Sequence, residues 1–436
     1  VSVDGAAIAA IPWGLLGPDE LPSERRTRAL ELGAAVRHYN DLAVPGLGGV
    51  WYGRQLLWPA LGVVLADGAR RSGRHISNIE VANALEALAC WLALRYGSTK
   101  RDPRLRGVTK LRIDEPCSYK RLSRAGAYVS QPMRMSAVQP LRALGLVSAE
   151  SDRFNAFAPS TVGVDFLQAA CSEFEPVWYK HGVEDFLHRW LSGDIGDAAQ
   201  DRLHAALTPL KPLPLVAAAA LKDLLIKGPT EQASRRRGAL SWVAQVHQGV
   251  AVSSWDAAHP PMLSARHWHD LGIGAAFFEV RDRAIEALDS AERAIGPERK
   301  PLKLDKKLPD AVAQALQLAT EAARRCLQVF RHEGEHPDAL DFCGQLVTGT
   351  AADRLQALVQ RDFRVLQLRD RAVIPAAAFE GEALRTTDDE AGQDDAPKDD
   401  DLPWPKGISY RIRNLHRLHL DLEGQLDAWL QQKVQA

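Results

Sequence analysis

Residues 118–147 read SYKRLSRAGAYVSQPMRMSAVQPLRALGLV. Helical spacing runs through this stretch, is broken at Gly126 and Pro132, and closes in Leu-x-x-Leu-Gly-Leu-Val. The next residues, SAESDRFNAFAPS, hold two strand-like pieces, Leu146-Val147 and Phe157-Ala158, on either side of a polar loop. Thr161–Gly163 then opens another amphipathic run, VDFLQAAC. Helix, helix, hairpin, helix is the order of a winged helix-turn-helix, with 136–145 as recognition helix and 148–156 as wing. Pro140 strains that reading. Inside a helix it removes a hydrogen bond and costs about 3 kcal/mol, so a helix beginning at Gln139 would suit it better.

Charge singles out the same region. From Ser98 to Arg142 there are eleven lysines and arginines (Lys100, Arg101, Arg104, Arg106, Lys110, Arg112, Lys120, Arg121, Arg124, Arg134, Arg142) against three acids, in a chain whose net charge is −1. Phosphates attract such a stripe whatever the base sequence, whereas base edges need a few well-placed side chains. Arg134, Gln139 and Arg142 suit that second role, because arginine pairs with guanine and glutamine with adenine. Arg235, Arg236 and Arg237 form a second cluster at an expected helix start, where cations oppose the helix dipole unless an anion sits there. Double-stranded DNA is the expected partner. A winged helix can also dock protein, and a charge run can be a solvated face.

Outward from this segment, the 436 residues are long enough for two or three domains, and 46% hydrophobic and 25% charged content are ordinary globular values. Helical spacing predicts helices over 22–41, 54–71 and 77–97, the last with Ser77 as N-cap. Others are expected over 182–192, 197–207, 214–226, 232–248, 267–296 and 308–331. The expected fold is mainly α and multi-domain. It comprises an N-terminal helical region (1–112), the winged helix-turn-helix (113–175) and a helical domain (176–384). An acidic linker (385–405) and a detached C-terminal amphipathic helix (406–436) follow. The linker segment is rich in Asp and nearly free of large apolar side chains until Leu402, so it cannot offset the entropy of ordering. Five scattered cysteines without a C-x-x-C pair point to a reducing compartment. Asp4, with Pro12 and Gly14, disfavours a signal peptide, and the longest apolar run, 59–66, is too short to span a bilayer. A cytoplasmic protein is expected.

Two patterns invite a metal-dependent reading. His332-Glu333-Gly334-Glu335-His336 fits H-E-x-x-H, but Gly334 and Pro337 break the helix that the motif needs. His267-Trp268-His269 resembles the metal-binding core of single-strand nickases, with Tyr410 as the only downstream tyrosine. That core demands a strand, because residues two apart diverge on a helix, and the spacing here is helical. No Walker loop or dinucleotide fingerprint occurs. No metal, cofactor or catalytic residue is expected.

Four stretches carry a resemblance: LELGAAVRHYNDLAVPGLGGVWYGRQLLWPALG (30–62), SNIEVANALEALACWLA (77–93), YVSQPMRMSAVQPLRALGLV (128–147) and RFNAF (153–157). They resemble replication or maintenance proteins encoded by pathogenicity islands and integrative conjugative elements of Gram-negative bacteria, over roughly the first 170 residues. The resemblance implies a setting, a mobile genetic element, and favours DNA as the partner of the winged helix. The large helical region is expected to dock other element-encoded replication or partition proteins, or a second copy as a homodimer. It carries no catalytic residues. The leading expectation is a non-enzymatic winged-helix DNA-binding protein; the alternatives are a helical scaffold in a partition or anti-phage defence complex, and a metal-dependent nickase.

Overall fold

The structure is a computed structural model that describes residues 28, 30–97, 102–174, 182–249, 252–330, 335–381 and 402–435. The chain is mainly helical. Helix α1 (Gly33–Ala43) starts later than the spacing predicts, because Leu30 and Glu31 both take left-handed φ values, 52° and 57°. Helices α2 (Arg54–Arg71) and α3 (Asn78–Arg95) follow, and the Ser77 side chain accepts the Glu80 amide as the expected N-cap. The short α4 (Tyr119–Leu122) precedes α5 (Arg134–Ala143), the hairpin β1 (Val147–Ala149) and β2 (Phe157–Pro159), and α6 (Thr161–Ala170). The hairpin pairs Val147 with Pro159 and Ala149 with Phe157. Helix, hairpin and helix thus stand in the expected order, with a 3-10 turn at Phe154–Ala156 ending the wing loop.

Beyond it lie α7 (Val183–Ser192), α8 (Asp201–Leu207), α9 (Leu215–Ile226), α10 (Glu231–His247) and the 31-residue α11 (Ala265–Ile295). Then come β3 (Leu302–Lys303), α12 (Asp310–Val329), α13 (Pro337–Val347) and α14 (Ala351–Asp362). β4 (Leu366–Arg369), β5 (Ala372–Pro375), α15 (Tyr410–Leu422) and α16 (Leu426–Gln435) complete the chain. A second antiparallel sheet, in the order β3-β5-β4, has no counterpart in the sequence reading.

Two apolar cores result. The larger gathers α2, α3, the α5–hairpin–α6 segment, α7 to α10 and the C-terminal helices; the smaller gathers α1 and α12 to α14 with the second sheet. Helix α11 serves both: Trp268 and Leu271 pack in the first, and Ile273 to Ile295 in the second. The C-terminal segment is not the detached helix expected of it. Ile412, Leu415, Leu418 and Leu420 are all fully buried in the larger core, because apolar residues on so wide a face of α15 cannot stay solvated. Trp404 is buried edge-on against Trp242, so the end of the acidic stretch is anchored too. The rest of that stretch, 385–401, lies outside the described residues.

Candidate nucleic-acid interface

Helix α5 begins at Arg134, earlier than Pro140 was expected to allow, and Pro140 sits in its interior. The cost of that proline is met from outside. Its missing N–H would have bonded the Ser136 carbonyl, which instead accepts the Gly49 amide at 3.3 Å. The loop can come so close only because it carries glycines. A Cβ on Gly48, whose φ is +57°, would stand 2.5 Å from the Ser136 oxygen and 2.9 Å from Pro140 Cδ. At its N-terminus α5 is capped by the fully buried Glu86 of α3. Glu86 Oε1 accepts the Met133 amide (2.7 Å) and the Tyr128 hydroxyl (3.0 Å), and Oε2 accepts the Arg134 amide (3.0 Å). Burial raises the Glu86 pKa, and these bonds work against that rise. Negative charge at a helix N-terminus also suits the dipole.

The structure sorts the candidate residues by what their heads touch. Arg104 is buried between Asp102 (2.7 Å) and Asp427 (2.6 Å); burial lowers its pKa, the two carboxylates more than offset that, and the net shift is upward. Arg106 donates to the Gln131 carbonyl, and Lys110, otherwise exposed, to that of Tyr128. Arg112 is exposed near Glu115, while Arg121 is held by Glu115 and the Pro116 carbonyl. Arg134 bonds Asn83, lies over the Phe154 ring and has its pKa lowered by burial. Gln139 uses both ends of its amide, donating to Asp41 (2.6 Å) and accepting from Arg411 (3.0 Å). Arg142 pairs with Asp152 of the wing. Lys120 and Arg124 are exposed. Lys100 and Arg101 lie outside the described residues.

The 235–237 cluster is a correction. These arginines occupy the second turn of α10, not its start, and two of them face inward. Arg235 pairs with Asp270 (2.6 Å) and Glu231 (2.9 Å). Arg236 donates to the carbonyls of Leu225 and Pro45, and Arg237 to those of Ile226 and Gly228. Arg236 and Arg237 thereby close the C-terminus of α9, where the dipole favours cations. Arg104, Arg235 and Arg236 are each less than a tenth exposed, so no DNA phosphate reaches their guanidiniums. The three proposed base readers are likewise spoken for: α5 turns its outward face toward α1 and the 46–49 loop across a cleft.

What remains outward is a basic surface around the N-terminus of α3, and half of it was missed. Arg71 at the end of α2, Arg74 and His75 in the turn that follows, Lys120 in α4, Arg124 just after it and Arg153 in the wing are all exposed. The α3 start ties the three segments together. Tyr119 donates to Glu80 (2.7 Å), and the Arg74 charge reaches that same phenol. The Ile79 amide donates to Asn155 (3.1 Å), while the Asn78 amide donates to the carbonyls of Phe154 (3.0 Å) and Phe157 (2.8 Å). Among the described residues, Arg74, Lys120, Arg124 and Arg153 have no ion-pair partner. The signal for the missed half was in the run GARRSGRHIS (68–77), three arginines and a histidine at the junction of two helices.

No family model, no curated protein and no solved structure matches this chain.

The histidine motifs take ordinary places. His336 is the N-cap of α13 and accepts the Asp338 amide, with Pro337 at the first helical position; His332 lies outside the described residues. His267 is buried in α11, its Nε2–H directed at the Ala43 carbonyl (2.9 Å), and burial lowers its pKa to about 4. His269 lines a separate cleft with Trp255 and Glu279, and Tyr410 borders another with Arg281. Among the described residues, no three His, Cys, Asp or Glu side chains are grouped to hold a metal ion.

Proposed function

We propose that this chain is a non-enzymatic protein that binds duplex DNA through the basic surface around the α3 N-terminus. One observation carries the reading: four exposed cations without ion-pair partners, Arg74, Lys120, Arg124 and Arg153, come from the α2–α3 turn, α4 and the wing, segments tied together at the α3 N-terminus. Arginines and lysines that have no carboxylate to satisfy them are the groups that gain most from phosphate, because each contact releases condensed counterions. The side chains able to read bases from α5 already have partners, Arg134 with Asn83, Gln139 with Asp41 and Arg411, and Arg142 with Asp152 at the surface, so the contact is to backbone and weakly selective for sequence. The resemblance of the first 170 residues supplies the setting, replication or maintenance of a mobile genetic element. Fluorescence anisotropy with a labelled duplex tests the proposal. Replacing Arg74, Lys120, Arg124 and Arg153 with alanine should weaken binding at least 30-fold at low salt; an unchanged affinity would sink it.

A protein-docking reading has one observation of its own. Helix α9 (LVAAAALKDLLI) is apolar on nearly every side, yet Leu215 is 85% and Val216 72% exposed. An apolar helix with an uncovered face suits a partner in a complex. Absence of duplex binding at low salt, together with a stable partner lost on Leu215→Asp, would favour it.

A further inference from the structure

The cleft in front of α5 has a chemistry of its own. It is about 880 Å³ in volume, in the range of small-molecule sites, and open on one side. Its walls are α1 (Ala34, Arg37), the 46–49 glycine loop and the outward face of α5 (Met135, Val138, Arg142), with Gln232 and His336 at the rim. The floor is rigid. Arg411, 3% exposed, donates from Nη1 to Asp41 (2.9 Å) and the Val44 carbonyl (3.3 Å), and from Nη2 to Gln139 (3.0 Å), which in turn donates to Asp41. Asp41 also accepts the Gly46 amide at 3.0 Å.

Counting donors against acceptors decides what such a cleft takes. Each carboxylate that reaches it is paired with an arginine through its Oδ1: Asp41 with Arg411, beside the Gln139 and Gly46 donors, and Asp152 with Arg142. The Arg37 guanidinium is exposed and pairs with no described residue. His336 accepts the Asp338 amide on Nδ1, which leaves its proton on Nε2 as a donor. The Gln232 amide is exposed as well. Three arginines thus line the cleft against two carboxylates, and with Arg142 and Arg411 paired, Arg37 is the charge in excess, so the matching ligand is an anion. The volume exceeds that of a bare ion, and the α5 wall offers apolar surface in Met135, which is 40% exposed, and in Val138.

We propose that the α1–α5 cleft binds a small phosphorylated molecule, its phosphate held by Arg37 and His336 and its apolar or planar part laid against Met135 and Val138. The proposal stands apart from the DNA reading, whose cations lie on a different surface. Isothermal titration of the full chain with ADP, inorganic phosphate and adenosine tests it. ADP should bind, phosphate more weakly, and adenosine not measurably; equal binding of phosphate and ADP would overturn the role given to Met135 and Val138. Arg37→Ala should weaken ADP at least tenfold. Ala34→Trp, which fills the cleft without removing a charge, should abolish binding. Both positions are exposed, so both variants should keep the far-ultraviolet dichroism of the parent. The proposal fails if no anionic probe binds at millimolar concentration, or if ADP binds both variants as tightly as the parent. It fails equally if ADP binding is lost in the Arg74→Ala, Lys120→Ala pair instead.

Discussion

Gly48→Ala is the perturbation that interrogates how α5 keeps a proline in its middle. The added methyl would stand 2.5 Å from the Ser136 oxygen, and that residue would be held at a φ of +57°. A left-handed conformation costs a non-glycine residue about 1 to 2 kcal/mol. Moving the loop away to relieve the contact breaks the Gly49 amide's bond to Ser136, and Pro140 cannot replace that donor. A buried carbonyl left unpaired costs about 1 to 3 kcal/mol. Together these amount to about 3 kcal/mol. At roughly 2.1 cal/mol/K of unfolding entropy per residue, that lowers the melting temperature of a chain this long by about 3 °C if it unfolds as one unit. Gly73→Ala is the internal control. Its φ is +83°, but nothing lies within 4 Å of the added methyl, so only the backbone term applies, about 1 °C. Scanning calorimetry of the two variants reads the difference directly. Equal shifts, or a Gly48→Ala shift under about 0.5 °C, would refute the claim that the loop supplies the missing bond.

Glu86→Ala should destabilise by about 4 kcal/mol, since it strands the Met133 and Arg134 amides in the core; Glu86→Gln, which keeps an acceptor, should cost about half of that by urea denaturation. Arg235→Ala should cost about 3 kcal/mol by leaving the mostly buried Asp270 unpaired, with no effect on the salt dependence of DNA binding. His267 has a folded pKa of about 4, below its usual 6.5, in the company of Arg235, Asp270 and Glu231. The unfolded chain therefore binds its proton first as pH falls, so the stability that His267 contributes is complete above pH 6.5 and is lost toward pH 4. The loss is about 3 kcal/mol. His267→Gln, which retains a donor for the Ala43 carbonyl, should flatten the stability profile in that window; an unaltered profile would contradict the assignment.

Periodicity made the long helices legible. The bounds of α2, α3, α9 and α10 fall within two residues of those read from apolar spacing, and Ser77 caps α3 as its side chain suggests. The hairpin behind α5 was legible from two short apolar pieces around a polar loop. Three features escaped for separate physical reasons. The β4–β5 hairpin turns through Asp370 and Arg371 at φ values of 48° and 58°, a conformation usually signalled by Asn-Gly, so nothing in the sequence marked it. Helix α14 was announced by the capping box Thr350–Asp353, a signal that spacing alone overlooks. The site was the least legible, because a count of arginines does not separate those that satisfy carbonyls and carboxylates from those that face water. Arg104 and Arg235 look the same in sequence as Arg124, and only tertiary contacts distinguish them.

The central claim is that the exposed, unpaired cations around the α3 N-terminus are the ones that meet DNA phosphate. The slope of log affinity against log salt for a duplex tests it most directly, since each phosphate contact contributes about 0.9 to that slope. Replacing Arg74, Lys120, Arg124 and Arg153 should flatten the slope by about 3 to 4, while replacing Arg106, Arg121 and Arg237, whose heads are tied to carbonyls, should leave it within about 1 of the parent. The reverse pattern, or equal slopes for both variants, would contradict the account.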